Sequence, residues 1–347
     1  MTSTVYVGMS GGVDSSVSAA LLKKQGYNVV GVYMKNWTAD VLGYKCPWRE
    51  DLNDAQSVAA ILEIPFKIFD FQKEYKQQVV DYMVSEYRAG RTPNPDVMCN
   101  QEIKFKLFLS TALKDGADMI ATGHYARIQG RALEMAKDLN KDQTYFLCRV
   151  TKEALARTIF PLGEYAKPEV RELAKKFNLP VAKKPDSTGI CFIGEVDIKS
   201  FLQQYIKPKT GDIKKRDGTV VGQHEGAAFY TIGQRHGLNI GGGRPFYIID
   251  KDIKANILYV TDHLDDDELY CDNFAISEPH WINEIPQADK DYQIRTRYRG
   301  PLQKGRLVKN DDKYVVELKD ADRAITPGQS AVIYDGRTVL GGGVISR

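Results

Sequence analysis

The chain has 347 residues, a formal net charge of +3 and a hydrophobic content of 43%, which describes a globular protein of two or three domains. Because the net charge is small, binding to a polyanion would have to come from local basic patches. The sequence contains no apolar run of the roughly 20 residues that a membrane-spanning helix requires. We therefore expect no association with a membrane.

The cysteines and the start of the chain indicate a cellular compartment. The five cysteines are an odd number and form neither a CxxC pair nor a Cys/His cluster with zinc spacing. The first predicted strand begins almost at the first residue, which leaves no room for a signal peptide. We expect a cytoplasmic protein whose thiols are available for chemistry.

The first predicted strand, Val5–Val7, runs into a segment rich in glycine and serine. An amphipathic helix is predicted next, at Val13–Lys24. A strand, a glycine turn and a helix in this order direct several backbone N–H groups and the positive end of a helix dipole at one point, which suits a phosphate. A lone glycine turn would be an ordinary feature of a parallel sheet. This one follows the first strand of an α/β pattern and adds the hydroxyls of Ser10, Ser15 and Ser16.

The glycine segment matches neither of the two common phosphate motifs. No Gly-Lys-Ser/Thr follows as in Walker A, and the glycines do not have GxGxxG spacing. The sequence Ser-Gly-Gly-Val-Asp-Ser-Ser of Ser10–Ser16 instead resembles the pyrophosphatase loop of ATP-dependent adenylating enzymes. Enzymes of that class split ATP between the α and β phosphates and release pyrophosphate. Asp14, within this loop, could hold a metal ion or orient a donor.

Strands and helices alternate through the first half of the chain. The predicted strands are Val29–Met34, Phe66–Phe69 and Met119–Thr122, and the predicted helices are Asp54–Leu62, Tyr75–Tyr87, Ile103–Lys114, Pro168–Phe177 and Val196–Tyr205. Such alternation implies an α/β fold with a doubly wound parallel sheet, in which ligands gather where strands end. Ser10, Met34 and Gly123 all fall at such ends. The two prolines of Arg91–Asn100 are expected to prevent regular structure there.

The second half of the chain is β-rich, beyond a predicted linker at Pro208–Gly211. The predicted strands are Thr219–Val221, Phe229–Thr231, Phe246–Asp250, Ile257–Thr261, Gln293–Tyr298, Gly305–Lys309, Lys313–Leu318, Ser330–Tyr334 and Val339–Ile345. From Phe274 onward the strands alternate like those of a small barrel. We expect a catalytic domain over residues 1–207, a central β-rich domain over 208–274 and a C-terminal β-barrel domain over 275–347.

Two cysteines, Cys99 and Cys191, have similar surroundings. Each lies in a turn-rich segment near an acidic residue, Asp96 or Asp186. Most unpaired cysteines are small buried hydrophobes, an interpretation that suits Cys148 in its apolar segment. A thiol in a loop is easier to reach, which makes the first two candidates for chemistry. The residues alone leave both interpretations open, because reactivity depends on a thiol pKa that a sequence does not show.

Several blocks extend the comparison with adenylating enzymes. They are Gly8–Ser16, Arg91–Asp96 with Cys99-Asn100, Ala121–Arg127, Lys141–Gln143 with Tyr145–Leu147, Ser187–Gly194, Tyr230–Leu238, Arg297–Arg299 and Thr326–Ser330. With these blocks the chain resembles, over almost its whole length, the bacterial tRNA-specific 2-thiouridylases of the MnmA/TrmU family. The cysteine pair distinguishes that family from other enzymes with a pyrophosphatase loop. The resemblance implies an adenine nucleotide α-hydrolase-like fold for the first domain.

The resemblance also implies a reaction, the ATP-dependent 2-thiolation of the wobble uridine in tRNAs for Lys, Glu and Gln. A uracil oxygen is a poor leaving group, and adenylation makes it a good one, with Mg²⁺ neutralising phosphate charge. AMP and pyrophosphate are released as 2-thiouridine forms. In the family pattern Cys191 carries a persulfide, whose terminal sulfur attacks carbon 2 or is first released as sulfide. Cys99 is the nucleophile that then attacks the Cys191 sulfur and leaves a disulfide.

The resemblance assigns roles to individual residues of this chain. The ATP-binding residues are Gly8, Met9, Ser10, Gly11, Gly12, Val13, Asp14, Ser15, Met34 and Gly123. The residues that contact the target base are Asn94, Pro95 and Asp96. The residues that contact tRNA are His124, Lys141, Asp142, Gln143, Arg297, Tyr298 and Gln329. Asp96 could act as a general acid or base, although an Asp after a proline is also a common turn residue. For His124, a structural role remains the alternative.

The implied partners are the anticodon arm of tRNA and a persulfide donor, either a relay protein or a cysteine desulfurase, with the chain itself a monomer. A target base inside folded tRNA would have to leave its stack. One rival interpretation is another adenylating enzyme, such as an amidating synthetase or a different tRNA thiolase. A second rival is an ATP-gated RNA-binding protein without catalysis. Replacement of Cys99 or Cys191 by Ser distinguishes the sulfurtransferase from both rivals, because only a sulfurtransferase of this kind needs both thiols.

Overall fold

The computed structural model describes residues 2–41, 44–186, 197–241, 243–288, 290–310 and 313–346. Ser187–Gly194, the block predicted to carry the persulfide cysteine Cys191, lies outside the described residues, and so does Val196 at the start of a predicted helix. None of the helices in the described ranges is both long and apolar enough to cross a bilayer.

The first domain is built on a parallel sheet of five strands in the order β3-β2-β1-β4-β7. These strands are β1 (Thr4–Gly8), β2 (Asn28–Lys35), β3 (Phe66–Asp70), β4 (Met119–Ala121) and β7 (Thr158–Ile159). The strand order reverses between β1 and β4, so the loops after these two strands diverge and leave a crevice at the sheet edge. This confirms the predicted doubly wound α/β fold.

Helices cover both faces of this sheet. The α-helices are α1 (Val13–Lys24), α2 (Trp48–Ile61), Gln72–Tyr75, Asp81–Arg88, Pro95–Met98, Leu109–Lys114, Lys152–Leu155, Lys167–Lys176 and Ile198–Leu202. Lys76–Val80 and Cys99–Phe108 are π-helical, and Thr144–Leu147, Pro180–Lys183, Ala227–Phe229 and Asp267–Leu269 are 3₁₀ turns. Alternate residues of β1 point to opposite faces, so Val5 joins the core under α1, whereas Tyr6 joins the core that contains Phe108.

The segment around Pro95 is helical, which corrects our prediction that its prolines prevent regular structure. Pro95 is the first residue of the helix Pro95–Met98, where a backbone N–H would have no partner in any case. The side chain of Asn94 caps this helix and accepts hydrogen bonds from the backbone N–H groups of Asp96 at 3.1 Å and Val97 at 3.3 Å. A proline therefore begins the helix that leads to Cys99.

The central domain has a sheet of four strands in the order β10-β11-β8-β9. They are β8 (Gly211–Lys214), β9 (Val220–His224), β10 (Tyr247–Asp252) and β11 (Ile257–Thr261). The predicted strand Phe229–Thr231 is wrong. The N–H of Phe229 instead donates to the carbonyl of Gly226 at 3.1 Å, which closes a 3₁₀ turn over Ala227–Phe229.

The last six strands form a closed barrel, as predicted. They are β12 (Tyr270–Trp281), β13 (Tyr292–Arg295), β14 (Gln303–Asn310), β15 (Lys313–Arg323), β16 (Ser330–Asp335) and β17 (Thr338–Ser346). Pairing between β12 and β17 closes the order β12-β15-β14-β13-β16-β17. Because β12 runs unbroken through residue 275, we propose that the barrel domain begins before Tyr270 rather than at 275.

A hairpin of the first domain, β5 (Ala126–Gln129) and β6 (Ala132–Met135), was not predicted. Strand β6 pairs with β17 of the barrel, with Thr338 opposite Glu134 and Val339 opposite Leu133. Ala and Glu are depleted in strands, so the local sequence gives little signal for this hairpin. The hairpin joins the catalytic domain to the barrel by backbone pairing.

Candidate functional site

The loop after β1 has the geometry of an anion site. Gly11 has a φ of +76°, and a Cβ there would lie 2.3 Å from the carbonyl oxygen of Asp51, so only glycine fits. The Oγ of Ser15 accepts a hydrogen bond from the N–H of Ser10 at 3.2 Å, which folds the loop back on α1. Gly12 caps α1 without a side-chain bond, so the first-turn N–H groups remain available to a ligand.

The ends of three neighbouring strands converge on this loop. A Cβ on Gly123, just after β4, would lie 2.7 Å from the backbone nitrogen of Ser15. A Cβ on Gly8, at the end of β1, would lie 3.0 Å from the Cε of Met34 in β2. The structure thus brings together the predicted ATP-binding residues of three separate segments, at the crevice between β1 and β4.

A charged pair stands at the start of α1. The Nζ of Lys167 lies 2.7 Å and 2.8 Å from the two carboxylate oxygens of Asp14, and the hydroxyl of Tyr125 donates to the same carboxylate at 2.8 Å. Burial, and then the negative charge of Asp14, raise the pKa of Tyr125, so its hydroxyl stays protonated as a donor. Sequence analysis missed Lys167, because a contact between residues so far apart in the chain leaves no local signal.

The Lys167 ammonium also contacts Asp186, at 2.8 Å. Asp186 accepts further hydrogen bonds from Lys141 at 2.6 Å and from Arg171 at 2.6 Å. Burial raises the pKa of Asp186, but hydrogen bonds from Lys141 and Lys167 outweigh burial and hold that pKa below its ordinary value. Asp186 directly precedes the Cys191 block in the sequence, so the chain entering that block is anchored to the phosphate loop.

A second anchor lies two residues earlier. The Nζ of Lys184 contacts Asp51 at 2.7 Å and Asp54 at 2.6 Å, both in α2. Asp51 also supplies the carbonyl oxygen that excludes a side chain at Gly11. The segment before residue 187 is therefore held from two sides of the phosphate loop.

Cys99 lies at the junction of the helix Pro95–Met98 and the π-helical segment Cys99–Phe108, and its exposed fraction is 0%. This corrects our expectation of a thiol in an accessible loop, since the Asn94 cap makes the segment helical. Any reaction at this thiol requires the side chains that cover it to move. Cys148 is also fully buried, and burial raises the pKa of its thiol to about 12, which confirms its interpretation as a core residue.

Three of the residues predicted to contact tRNA use their side chains inside the protein. His124 is 8% exposed, lies 2.7 Å from the hydroxyl of Thr122, and has its pKa lowered well below the ordinary value by burial. Asp142 is 2% exposed and accepts a hydrogen bond from Thr144 at 2.7 Å. The Oε1 of Gln143 accepts from the backbone N–H of Tyr125 at 2.9 Å. These contacts favour structural roles for all three residues. For His124, a structural role is the alternative given in the sequence analysis.

The other predicted tRNA contacts lie at the surface between domains. Arg297, with a side chain 41% exposed, contacts Asp322 at 3.2 Å. The ring of Tyr298 lies 4.2 Å from that of Phe146, centroid to centroid. Lys141, although predicted to bind RNA, is already paired with Asp186.

Gln329 connects the barrel to the segment that precedes Cys99. Its Nε2 donates to the carbonyl of Thr92 at 2.7 Å, and the N–H of Thr92 donates to the carbonyl of Pro327 at 2.8 Å. A Cβ on Gly328, which has a φ of +97°, would lie 2.8 Å from the nitrogen of Thr92. The hydroxyls of Thr92 and Thr231 are 3.1 Å apart. All three domains thus meet at Thr92.

No group of three or more His, Cys, Asp or Glu residues within the described ranges is arranged to hold a metal ion. A Mg²⁺ that arrives with a nucleotide needs only one or two carboxylates, because phosphate oxygens and water supply its other ligands. Asp14, in the first turn of α1, is a carboxylate of the phosphate loop, and it is paired with Lys167.

Comparison with known proteins assigns the chain to a family. Three family models match it: "tRNA methyl transferase HUP domain" over residues 3–195, "tRNA methyl transferase PRC-barrel domain" over residues 199–262, and "Aminomethyltransferase beta-barrel domain" over residues 271–345. In chain order, the three ranges correspond to the α/β domain, the central β domain and the barrel described above.

Three relatives are each named tRNA-specific 2-thiouridylase MnmA. The relative from Streptococcus sanguinis (strain SK36) is 49% identical, covering 99% of this chain and 95% of its own. That from Legionella pneumophila (strain Lens) is 49% identical over 100% of this chain and 99% of its own. The relative from Pseudomonas syringae pv. syringae (strain B728a) is 50% identical over 98% of this chain and 93% of its own. With identity this high along the full length, the chain belongs to the family of tRNA-specific 2-thiouridylases.

Proposed function

We propose that this protein is a tRNA-uridine 2-sulfurtransferase that uses ATP. The observation that carries the proposal is the convergence of Gly8, Met34 and Gly123 on a phosphate loop whose helix presents free first-turn N–H groups. The chain shares its family with enzymes named 2-thiouridylases along its whole length. The arrangement suits the activation of a nucleobase oxygen by a nucleotide.

In the first step, the target uridine oxygen attacks the α phosphate of ATP, and pyrophosphate leaves. The first-turn N–H groups of α1 bind the departing phosphates, and the ammonium of Lys167 beside Asp14 offsets their negative charge. When bound, Mg²⁺ would supply further neutralisation of phosphate charge, with Asp14 as its protein ligand. The product of this step is an adenylated uridine.

In the second step, sulfur replaces the activated oxygen. We propose that the terminal sulfur of a Cys191 persulfide attacks carbon 2 and expels AMP. The Cys99 thiolate then attacks the Sγ of Cys191, which releases 2-thiouridine and forms a Cys99–Cys191 disulfide. An external thiol reduces this disulfide. We propose that Asp96, three residues before Cys99, accepts or donates the proton at the base.

For the substrate we propose the wobble uridine of tRNAs for Lys, Glu and Gln. Asn94 caps the helix Pro95–Met98, which leads directly to Cys99. We propose that Asn94, Pro95 and Asp96 hold the target base at the start of this helix, near the proposed nucleophile. Arg297 and Tyr298, at the surface of the barrel domain, are proposed to contact the anticodon arm. The sulfur donor is proposed to be a persulfide carried by a relay protein or a desulfurase.

The proposal is tested by the fate of ATP in the presence of tRNA, Mg²⁺ and a persulfide donor. We expect AMP and pyrophosphate in amounts that match modified tRNA. Cys191→Ser is expected to stop sulfur transfer, whereas Cys148→Ser, at a core cysteine, serves as the matched control. Release of ADP and phosphate, or full turnover by Cys191→Ser, would contradict the proposal and favour a different adenylating enzyme.

A further inference from the structure

Asn36 lies just beyond the carboxyl end of β2, two residues after Met34. It is 1% exposed, and β2 ends at the same sheet edge as the phosphate loop. Neither family resemblance nor local sequence pattern assigns it a role. Its position nevertheless places a polar amide just beyond the strand end that carries Met34, one of the proposed ATP-binding residues.

The amide of Asn36 has no hydrogen-bond partner. Neither its Nδ2 nor its Oδ1 reaches a donor or acceptor in the part of the chain that the structure describes. A buried amide without partners destabilises a fold, and folded proteins keep few such groups. A leucine of similar size would avoid that destabilisation. The unpaired amide at this position therefore points to a partner that binds from outside the chain.

The neighbours of Asn36 do have partners. The Nζ of Lys35 lies 3.6 Å from a carboxylate oxygen of Asp70. The indole N–H of Trp37 donates to the carbonyl of Ala39 at 2.8 Å. The unpaired state is thus specific to the Asn36 amide and does not reflect a loosely packed segment.

We propose that Asn36 binds the adenine of ATP and confers specificity for it, an inference that rests on the proposed function. A carboxamide presents one donor and one acceptor side by side, and adenine presents the complementary pair, the 6-amino group beside a ring nitrogen. Met34 supplies an apolar surface next to it for the face of the base. Oδ1 of Asn36 accepts from the 6-amino group, and Nδ2 donates to the ring nitrogen.

The decisive measurement compares ATP with purine riboside triphosphate, an analogue that lacks the 6-amino group, by calorimetric titration of the full-length protein. Wild type is expected to bind ATP about tenfold or more tightly than the analogue, and Asn36→Leu is expected to bind both equally weakly. Asn28→Leu, at the opposite end of the same strand, is the matched control and should keep the preference for ATP. If leucine prevents folding, Asn36→Ala gives the same comparison with a smaller side chain.

Thermal stability is a second readout, because the substitution that weakens ATP binding is not expected to destabilise the protein. Without nucleotide, Asn36→Leu is expected to melt at the same temperature as wild type or higher, because two unpaired polar atoms are removed. A preference for ATP over the analogue that survives in Asn36→Leu would overturn the inference. Failure of wild type to bind ATP at all would instead overturn the proposed function, and this inference with it.

Discussion

Lys167 bridges Asp14 and Asp186, with its Nζ 2.7 Å from the first carboxylate and 2.8 Å from the second. Asp14 belongs to the phosphate loop, whereas Asp186 directly precedes the Cys191 block. One buried ammonium therefore links the two parts of the molecule that the proposed reaction needs, the site of ATP cleavage and the segment that supplies sulfur. A triphosphate at the loop would compete with both carboxylates for this cation.

Replacement of Lys167 by Met should weaken ATP binding by about tenfold or more, because the phosphates lose a buried cation and Asp14 is left unpaired beside them. Calorimetric titration of ATP measures this effect. Lys137→Met is the matched control, since the exposed ion pair of Lys137 with Glu169 contributes little. Equal ATP affinity in Lys167→Met and wild type would show that the bridge has no part in nucleotide binding.

The anchor at Asp186 predicts a dependence of stability on pH. The pKa of Asp186 is lower in the folded chain than its ordinary value, so its contribution is present above that ordinary value and is lost as pH falls through the folded pKa. Asp186→Asn should therefore melt at a lower temperature than wild type at neutral pH, and the difference should narrow below about pH 4. Asp265→Asn, at an exposed position, is the control. A difference that stays constant down to pH 2 would contradict this account.

Gln329 is expected to position the segment before Cys99. Gln329→Ala removes the hydrogen bond to the carbonyl of Thr92, so kcat for thiolation should fall by about tenfold with KM for tRNA unchanged. Gln204→Ala, at an exposed glutamine, should behave like wild type. A rise in KM for tRNA at constant kcat would instead support the contact with RNA that the family resemblance implies.

Gly123 should be intolerant of any side chain. Gly123→Ala places a Cβ 2.7 Å from the backbone nitrogen of Ser15, which forces the phosphate loop away from β4. Adenylation should fall by about 100-fold, since a displacement near 1 Å has that effect on a positioned reaction. Gly241→Ala is the control, because no atom lies within 4 Å of the added Cβ. Adenylation by Gly123→Ala at the wild-type rate would exclude close contact at this glycine.

The sequence predicted the central strands and α1 well because their signals are local. Buried strands such as β2 are continuous apolar runs, and α1 carries apolar residues at helical spacing after a glycine turn. The glycine pattern likewise predicted the turn between β1 and α1. Gly11 in this turn and Gly123 after β4 allow close approach of the backbone because they have no side chain.

The remaining features depend on contacts between distant residues. The bridge from Asp14 to Lys167 and the pairing of β6 with β17 have no local pattern that predicts them. The helix at Pro95 was missed because proline disrupts a helix interior but suits its first turn, and only the Asn94 cap distinguishes the two cases. Cys99 directly follows that helix and is buried.

We propose that this chain replaces the 2-oxygen of a tRNA uridine with sulfur at the expense of ATP. Mass spectrometry of nucleosides from tRNA incubated with the protein, ATP, Mg²⁺ and a persulfide donor tests this reaction most directly. We predict 2-thiouridine at the wobble position, formed only when ATP is present and absent with Cys99→Ser. Unmodified uridine under these conditions, or a methylated nucleoside formed without ATP, would contradict the account.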